Sequence, residues 1–205
     1  MIAILDYGVG NLFSLRSSFA AIGANAVVTA DPTVIRAADK LILPGVGAFE
    51  DAARKLRQSG IDDLLKEEVA KGKPLMGICL GMQLLFEKSY EYGEHEGLGL
   101  LKGSVLPFAG RIASSYKIPH IGWNKLSLKK DIPIFKYTNE GDYVYFVHSF
   151  FAELNEEHTA ASAEYGITFS AAVAKGNIYG CQFHPEKSGN VGLGILRGFC
   201  EAEEP

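Results

Sequence analysis

Pro74-Leu75-Met76-Gly77-Ile78-Cys79-Leu80-Gly81-Met82-Gln83 is the stretch whose reading decides the fold. Leu75 to Ile78 are apolar throughout, as befits a central parallel strand covered on both faces. Gly77 and Gly81 flank Cys79 at minus two and plus two, the spacing of a nucleophile elbow, in which the chain passes close to itself between a strand and a helix. Such a turn lifts the sulfur out of the sheet. It also sets it at a helix N-terminus, where the dipole and free N–H groups favour thiolate over thiol. The pentapeptide alone reads equally as a buried cysteine at an ordinary strand–helix junction, since free cysteine is often a small core residue.

Working back from the elbow, strands alternate with helices. Met1–Leu5, Ala26–Thr29 and Lys40–Leu43 are short apolar strands. Leu12, Leu15, Phe19 and Ile22 recur at helical spacing, with Asn11 as a capping residue and Gly23 as the stop. Asp31-Pro32 reads as a turn. Helices are expected from Phe49 through Leu56 and from Ile61 to Ala70. This alternation implies crossover units and an open, flavodoxin-like α/β sheet, mainly parallel, with helices on both faces. Ligands bind such sheets beyond the carboxyl ends of the strands. Cys79, the Pro44-Gly45-Val46-Gly47 loop and the Gly8-Val9-Gly10 turn all lie at such ends. The last is only a weak dinucleotide-loop signal, because Phe13 stands where a third glycine is needed.

Forward of the elbow, a helix is expected over Leu80–Phe86 and a polar surface loop over Glu87–Gly99. From Ser104 the pattern changes to short strand-like runs, Val105–Phe108, Lys125–Leu128, Asp142–Val147, Thr159–Glu164, Phe169–Val173 and Ile178–Phe183. They are expected to be antiparallel or mixed and to extend the same sheet. Val191, Ile195, Leu196 and Phe199 place a closing helix from Asn190. No linker or repeat divides the chain, so one domain is expected over 1–205.

With 205 residues, 47% hydrophobic and 21% charged, the sequence has the composition of a soluble globular protein. Its net charge of -4 argues against a nucleic-acid binder, and no basic run suggests a membrane surface. No apolar run approaches the ~20 residues of a membrane span. Met1 to Leu5 runs into Asp6 without a basic region, unlike a signal peptide. The three cysteines, Cys79, Cys181 and Cys200, are odd in number and lack metal-site spacing. Free thiols in a reducing, cytoplasmic setting are expected, with no metal.

A thiolate nucleophile needs a base, and the base an orienting group. His184 follows the apolar run Ile178–Phe183, so it too stands at a strand end. Glu186, two residues on, points the same way in an extended segment and can hold the imidazole tautomer. A turn carrying a surface charge pair is the bland reading of His184-Pro185-Glu186. His148 is the rival base and equally a strand histidine, and His95 lies among glutamates in a loop. The backbone N–H of Leu80 is one donor for a developing oxyanion. Gly45-Val46-Gly47 is suited to bring a second.

In the order strand-end loop, cysteine elbow, His-x-Glu, the chain resembles the class I (triad) glutamine amidotransferases over essentially its whole length. Gly77-Ile78-Cys79-Leu80-Gly81 with Gln83, and Gln182-Phe183-His184-Pro185-Glu186, carry that resemblance. Pro44-Gly45-Val46-Gly47-Ala48-Phe49, Pro119-His120-Ile121-Gly122-Trp123-Asn124, Tyr145-Phe146-Val147-His148-Ser149 and Glu186-Lys187-Ser188 look like the glutaminase subunits of imidazole glycerol phosphate synthase, in histidine biosynthesis. The tyrosine that often follows Val-His-Ser there is Phe150 here, so any contact of that hydroxyl is lost.

The resemblance implies Cys79 as nucleophile, His184 as acid and base, and Glu186 as its orienter. It implies an oxyanion hole from Leu80 with Val46 or Gly47, and contacts to L-glutamine from Gly45, Gln83, Ser149 and Phe150. It implies no metal or organic cofactor. It also implies a heterodimer with a (β/α)8-barrel cyclase subunit, docked through Asn11, Pro119, His120, Trp123, Asn124 and Lys187. Trp123, the sole tryptophan, reads as a docking anchor or as a core residue. The glycine-rich 45–47 loop leads to the expectation that activity is low until the partner engages. A triad peptidase or esterase working alone, the glutaminase of another pathway, and a non-catalytic binding domain are the rival readings.

Overall fold

The structure is a computed structural model and describes residues 1–202. Ile2–Leu5 (β1), Ala26–Thr29 (β2), Lys40–Leu43 (β3) and Leu75–Ile78 (β4) pair in parallel in the order β2-β1-β3-β4. Leu12–Ala21 (α1), Pro32–Ala37 (α2), Phe49–Gln58 (α3) and Ile61–Ala70 (α4) connect them. Leu80–Leu84 (α5) leaves the elbow at once. Next come Phe86–Ser89 (β5), His95–Glu96 (β6), Leu101–Pro107 (β7), His120–Lys125 (β8) and Ser127–Leu128 (β9). The chain continues through Tyr143–His148 (β10), Phe150–Ala152 (β11), Thr159–Glu164 (β12), Thr168–Lys175 (β13) and Ile178–Cys181 (β14), and closes with Gly189–Glu201 (α6).

Two cores lie on the two faces of the main sheet, and strand alternation divides the residues between them. Ile2 and Ile4 pack with Leu15 and Phe19 of α1 and Ile195, Leu196 and Phe199 of α6. Ala3 and Leu5 face the other way, with Ile35, Leu56 and Leu65 of α2 to α4 and Leu80 and Leu84 of α5. Each fully buried Leu, Ile or Phe stabilises the fold by about 1.5–3 kcal/mol.

The main sheet runs β2-β1-β3-β4-β14-β13-β12-β9 among the described residues. β14 joins β4 in parallel and so becomes its neighbour, whereas β13, β12 and β9 continue antiparallel. The remaining strands do not extend this sheet as expected. β8 and β10 form a separate antiparallel ribbon, and β11-β7-β5-β6 a second sheet. Two further expectations are corrected. Asp31-Pro32 opens α2, with the Asp31 carboxylate accepting from Thr33 N–H at 2.8 Å and Pro32 at the first helical position. Helix α5 stops at Leu84, and the polar stretch after it contains the strand pair β5–β6, Ser89 standing opposite His95. Among the described residues no helix is long and apolar enough to cross a membrane.

Candidate active site

Cys79 sits at φ 54°, ψ −112°, a conformation that costs a non-glycine residue on the order of 1–3 kcal/mol. The surroundings hold it there. Its N–H donates to Cys181 O at 2.7 Å, which ties the elbow to the end of β14. The two flanking glycines are required by close approach. A Cβ on Gly81 would lie 1.9 Å from Leu43 O, and one on Gly77 would lie 2.6 Å from Gly81 O. The spacing read from sequence therefore has a steric cause: strand β4 folds back onto its own helix and against the end of β3.

β4 and β14 are parallel neighbours, so the residues just past their carboxyl ends stand at the same edge of the sheet. Cys79 lies just past the first and His184 past the second. His184 is 3% exposed. Its Nδ1 is 2.8 Å from Glu186 Oε1, and the Cys79 sulfur is its neighbour on the other side. A carboxylate can only accept, so Nδ1 carries a proton and Nε2 is the atom that faces sulfur. Burial pulls the His184 pKa down, but the hydrogen bonds and charges of Cys79 and Glu186 outweigh it and raise it to about 9. The Glu186 side chain is 1% exposed, and its Oε2 has no hydrogen-bond partner, so the carboxylate serves His184 alone. Cys181 is separate from this group: burial pushes its thiol well up, the Glu186 charge adding to the effect.

A cavity of about 430 Å³ opens over the sulfur, within the range of small-molecule sites. Val46, Gly47, Cys79, Leu80, Gln83 and His184 line it, with Ser149 and Phe150 opposite. Gly45 does not. It is buried beneath, where a Cβ would meet Gly81 N at 2.6 Å, so its part is to let the 44–47 loop lie on the elbow. The loop is further fixed by Tyr7, whose buried hydroxyl donates to Pro44 O at 2.6 Å. Burial raises the Tyr7 pKa, and the nearby Cys79 charge raises it further.

Gln83 donates to Phe150 O and to Gln182 Oε1, both at 3.0 Å, and Gln182 Nε2 stands 3.9 Å from Cys79 Sγ. Sequence reasoning did not single out Glu91 and Tyr92, which also line the cavity. The Glu91 carboxylate accepts from Phe49 N–H at 2.9 Å, and burial raises its pKa despite that bond and the nearby His95. The Tyr92 ring packs edge-on to Phe150 at 5.9 Å. Both lie in the stretch read as a surface loop, where nothing local signals a return to the elbow.

The β8–β10 ribbon borders the cavity through Val147 and His148 of β10, with Pro119 just before β8 and Lys187 just after β14 beside them. Its alternation turns Ile121, Trp123 and Lys125 outward. Trp123 is 55% exposed and stands against Tyr145, with Lys187 over the same ring, so it is not a core residue. Asn11, at the start of α1, is half-buried, and Pro119 is exposed. Two of the expected docking residues face the other way. His120 is 3% exposed, and the half-buried Asn124 donates to Glu164 O of β12 at 2.8 Å. The period-2 geometry of the strand takes both off the outer surface. His148 is buried beside His120, with Nδ1 2.8 Å from Phe150 O and Nε2 3.0 Å from His120 Nδ1, so both ring nitrogens are engaged away from the sulfur, and burial lowers its pKa to about 3.

A buried cysteine at a strained elbow stands beside an imidazole that a carboxylate holds from the other side, at the carboxyl edge of a mainly parallel sheet. The class-I glutamine amidotransferase family model matches residues 3–200, and the chain belongs to that family. At 50% identity over 202 residues, it is similar to imidazole glycerol phosphate synthase subunit HisH of Caldanaerobacter subterraneus subsp. tengcongensis, 98% of each chain being covered. The HisH of Wolinella succinogenes is 50% identical, covering 98% of this chain and 99% of that one. That of Lactococcus lactis subsp. lactis is 48% identical, covering 98% of each. Among solved structures, a glutamine amidotransferase crystal structure superposes with a TM-score of 0.76 at 21% identity, covering 98% of this chain and 97% of that one. PurLQS of Thermotoga maritima gives 0.72 at 22%, covering 97% and 96%. These two likenesses are of fold alone.

Proposed function

We propose that the chain is the glutaminase subunit of an imidazole glycerol phosphate synthase, a single glutamine amidotransferase domain that takes ammonia from L-glutamine and hands it to a cyclase subunit. The observation that carries the reading is the Cys79–His184–Glu186 chain of contacts on the floor of a cavity sized for an amino acid. The Cys79 thiolate attacks the side-chain carbonyl carbon of glutamine. The oxyanion so formed takes the Leu80 N–H and a main-chain N–H of Val46 or Gly47. The His184 Nε2 proton goes to the departing nitrogen, the C–N bond breaks, and ammonia leaves a γ-glutamyl thioester. His184 then takes a proton from water, which attacks the thioester and returns glutamate and thiolate. Gln83 Oε1 and the Glu91 carboxylate are the acceptors for the substrate α-ammonium.

Ammonia set free in water would be lost, so the cavity mouth needs a cover. The exposed Ile121 and Trp123 beside Tyr145 and Lys187 supply an aromatic anchor for the cyclase, a (β/α)8 barrel, with Asn11 and Pro119 at the margin. The reaction needs no cofactor, and the setting is the cytoplasm. The test measures synthesis by the two-subunit complex. Cys79→Ala is expected to abolish synthesis from glutamine and to leave synthesis from ammonium salts intact. Loss of both would make Cys79 a structural residue and refute the proposal.

A further inference from the structure

Glu91 reaches the cavity from the turn between β5 and β6, and that turn is tied down along α3. Glu91 Oε2 accepts the N–H of Phe49, the first residue of α3, at 2.9 Å, which leaves Oε1 for the cavity. The Glu91 N–H donates to Ser89 Oγ at 3.2 Å, and Ser89 stands opposite His95 in the β5–β6 pair. His95 Nε2 in turn lies 3.9 Å from Oε2 of Glu50, the residue after Phe49. Further along α3, Arg57 donates to Glu96 O at 2.6 Å. Glu91 and His95 therefore lean on consecutive residues at one helix end.

His95 Nε2 is buried and has no hydrogen-bond partner. The Gly93 backbone covers it, at φ 146°, and a Cβ on Gly93 would stand 3.1 Å from that nitrogen. A buried ring nitrogen close to a carboxylate is satisfied by carrying a proton and turning it toward the oxygen. The other charged groups around the ring are otherwise engaged. Arg54 pairs with Asp51, Glu94 with Lys88, and Glu96 is exposed at the rim. Glu50 and Glu91 remain as the carboxylates that His95 serves. Glu91 is half-buried, and burial raises its pKa, while the Phe49 N–H and the His95 charge pull it back. A carboxylate that receives an ammonium group has to stay ionised, and a cation nearby favours that form.

We infer that His95 is a positioning residue for glutamine binding: braced on Glu50, it fixes the 89–95 turn on α3 and sets a positive charge near the Glu91 carboxylate that receives the substrate α-ammonium. The inference rests on the glutaminase reading and adds a residue that tunes substrate affinity. His95 does not line the cavity, so it acts through Glu91 alone. As the pH falls, Glu91 tends to take up a proton. The imidazolium opposes this, so glutamine binding persists to lower pH than Glu91 by itself would allow.

The test compares the two-subunit complex of wild type, His95→Gln and His95→Lys. The Gln side chain keeps a donor toward Glu50 and loses the charge, whereas Lys keeps the charge. KM and kcat for glutamine, and synthesis from ammonium salts, are read at about pH 6 and about pH 8. His95→Gln is expected to raise KM about fivefold at the lower pH and by less than about twofold at the higher. Its kcat and its ammonium-supported synthesis stay at the wild-type level, and His95→Lys keeps the wild-type KM at both. Glutamine turnover by wild type with an unchanged KM profile in His95→Gln overturns this inference alone. An equal rise in KM at the two pH values marks a merely structural role and overturns it too, as does a KM in His95→Lys as high as in His95→Gln. Absence of glutamine turnover in the wild-type complex overturns the functional reading and this inference with it.

Discussion

Removing the two buried imidazoles should make the protein more tolerant of acid. Both rings are neutral in the fold. Burial lowers the pKa of His120 to about 4, and burial together with the His120 and His184 charges lowers that of His148 to about 3. An unfolded imidazole titrates near 6.5. A folded pKa below the unfolded one means that the unfolded chain takes up protons first. Stability is therefore full above about pH 6.5 and is lost as the pH falls toward 4. At about pH 5 the unfolded ring is roughly 97% protonated, and the imbalance is RT ln(1 + 10^1.5), about 2 kcal/mol per ring. The pair thus costs about 4 kcal/mol between about pH 7.5 and pH 5, a large share of the 5–15 kcal/mol of an ordinary domain.

His184 has the opposite sign. Its pKa is raised to about 9, so its contribution is fully present below 6.5 and is lost as the pH climbs through 9. Comparing wild type with a His120→Phe/His148→Leu double variant cancels that term and avoids stranding one ring without its partner. Urea unfolding of both proteins at the two pH values is the assay. Wild type should lose about 4 kcal/mol more than the variant on acidification. Parallel losses, within about 1 kcal/mol, would refute the claim that the two rings are held neutral by burial.

Gly81→Ala forces a methyl group to 1.9 Å from Leu43 O, so the elbow must open. Glutamine turnover should fall at least about a hundredfold and thermal scans should show a lower Tm, whereas an unchanged Tm would mean that the contact relaxes at little cost. Glu186→Gln leaves an amide oxygen that can accept from His184 Nδ1 but removes the charge that supports its proton, and should lower kcat for glutamine by about a hundredfold or more, with ammonium-supported synthesis retained. Trp123→Ala should weaken cyclase binding by about 2 kcal/mol, near thirtyfold in Kd by titration calorimetry, while iodoacetamide still labels Cys79 at the wild-type rate. Tyr7→Phe frees Pro44 O, a buried acceptor whose loss of partner costs about 1–3 kcal/mol, and should lower Tm and slow glutamine turnover through the 44–47 loop.

The parts of the fold legible in the sequence are those with a local cause. Central parallel strands are continuous apolar runs, and so β1, β3 and β4 announced themselves. The glycines around Cys79 are there because backbone leaves no room for a Cβ, and that steric demand is written as a spacing. His184 was legible because it ends an apolar run and has a carboxylate two residues on. The misses have other origins. Asp31-Pro32 carried the local signature of a helix start, and the proline was read as a turn instead. The pairing of β5 with β6 and the isolation of the β8–β10 ribbon depend on partners far along the chain, which periodicity does not name. Glu91 reaches the site only because its loop is pinned to the N–H of Phe49, 42 residues away. His120 and Trp123 lie on opposite faces of one strand, and a one-residue error of phase is enough to mistake one for the other.

In the proposed mechanism the Cys79 sulfur, with its proton managed by His184, forms a γ-glutamyl thioester. Intact-mass spectrometry of the complex quenched in acid during glutamine turnover reads this directly. One added glutamyl mass is expected, mapped to Cys79, that accumulates in His184→Ala after slow acylation and never appears in Cys79→Ala. An adduct on Cys181 or Cys200, or glutamine turnover with the adduct-free Cys79→Ala protein, would contradict it.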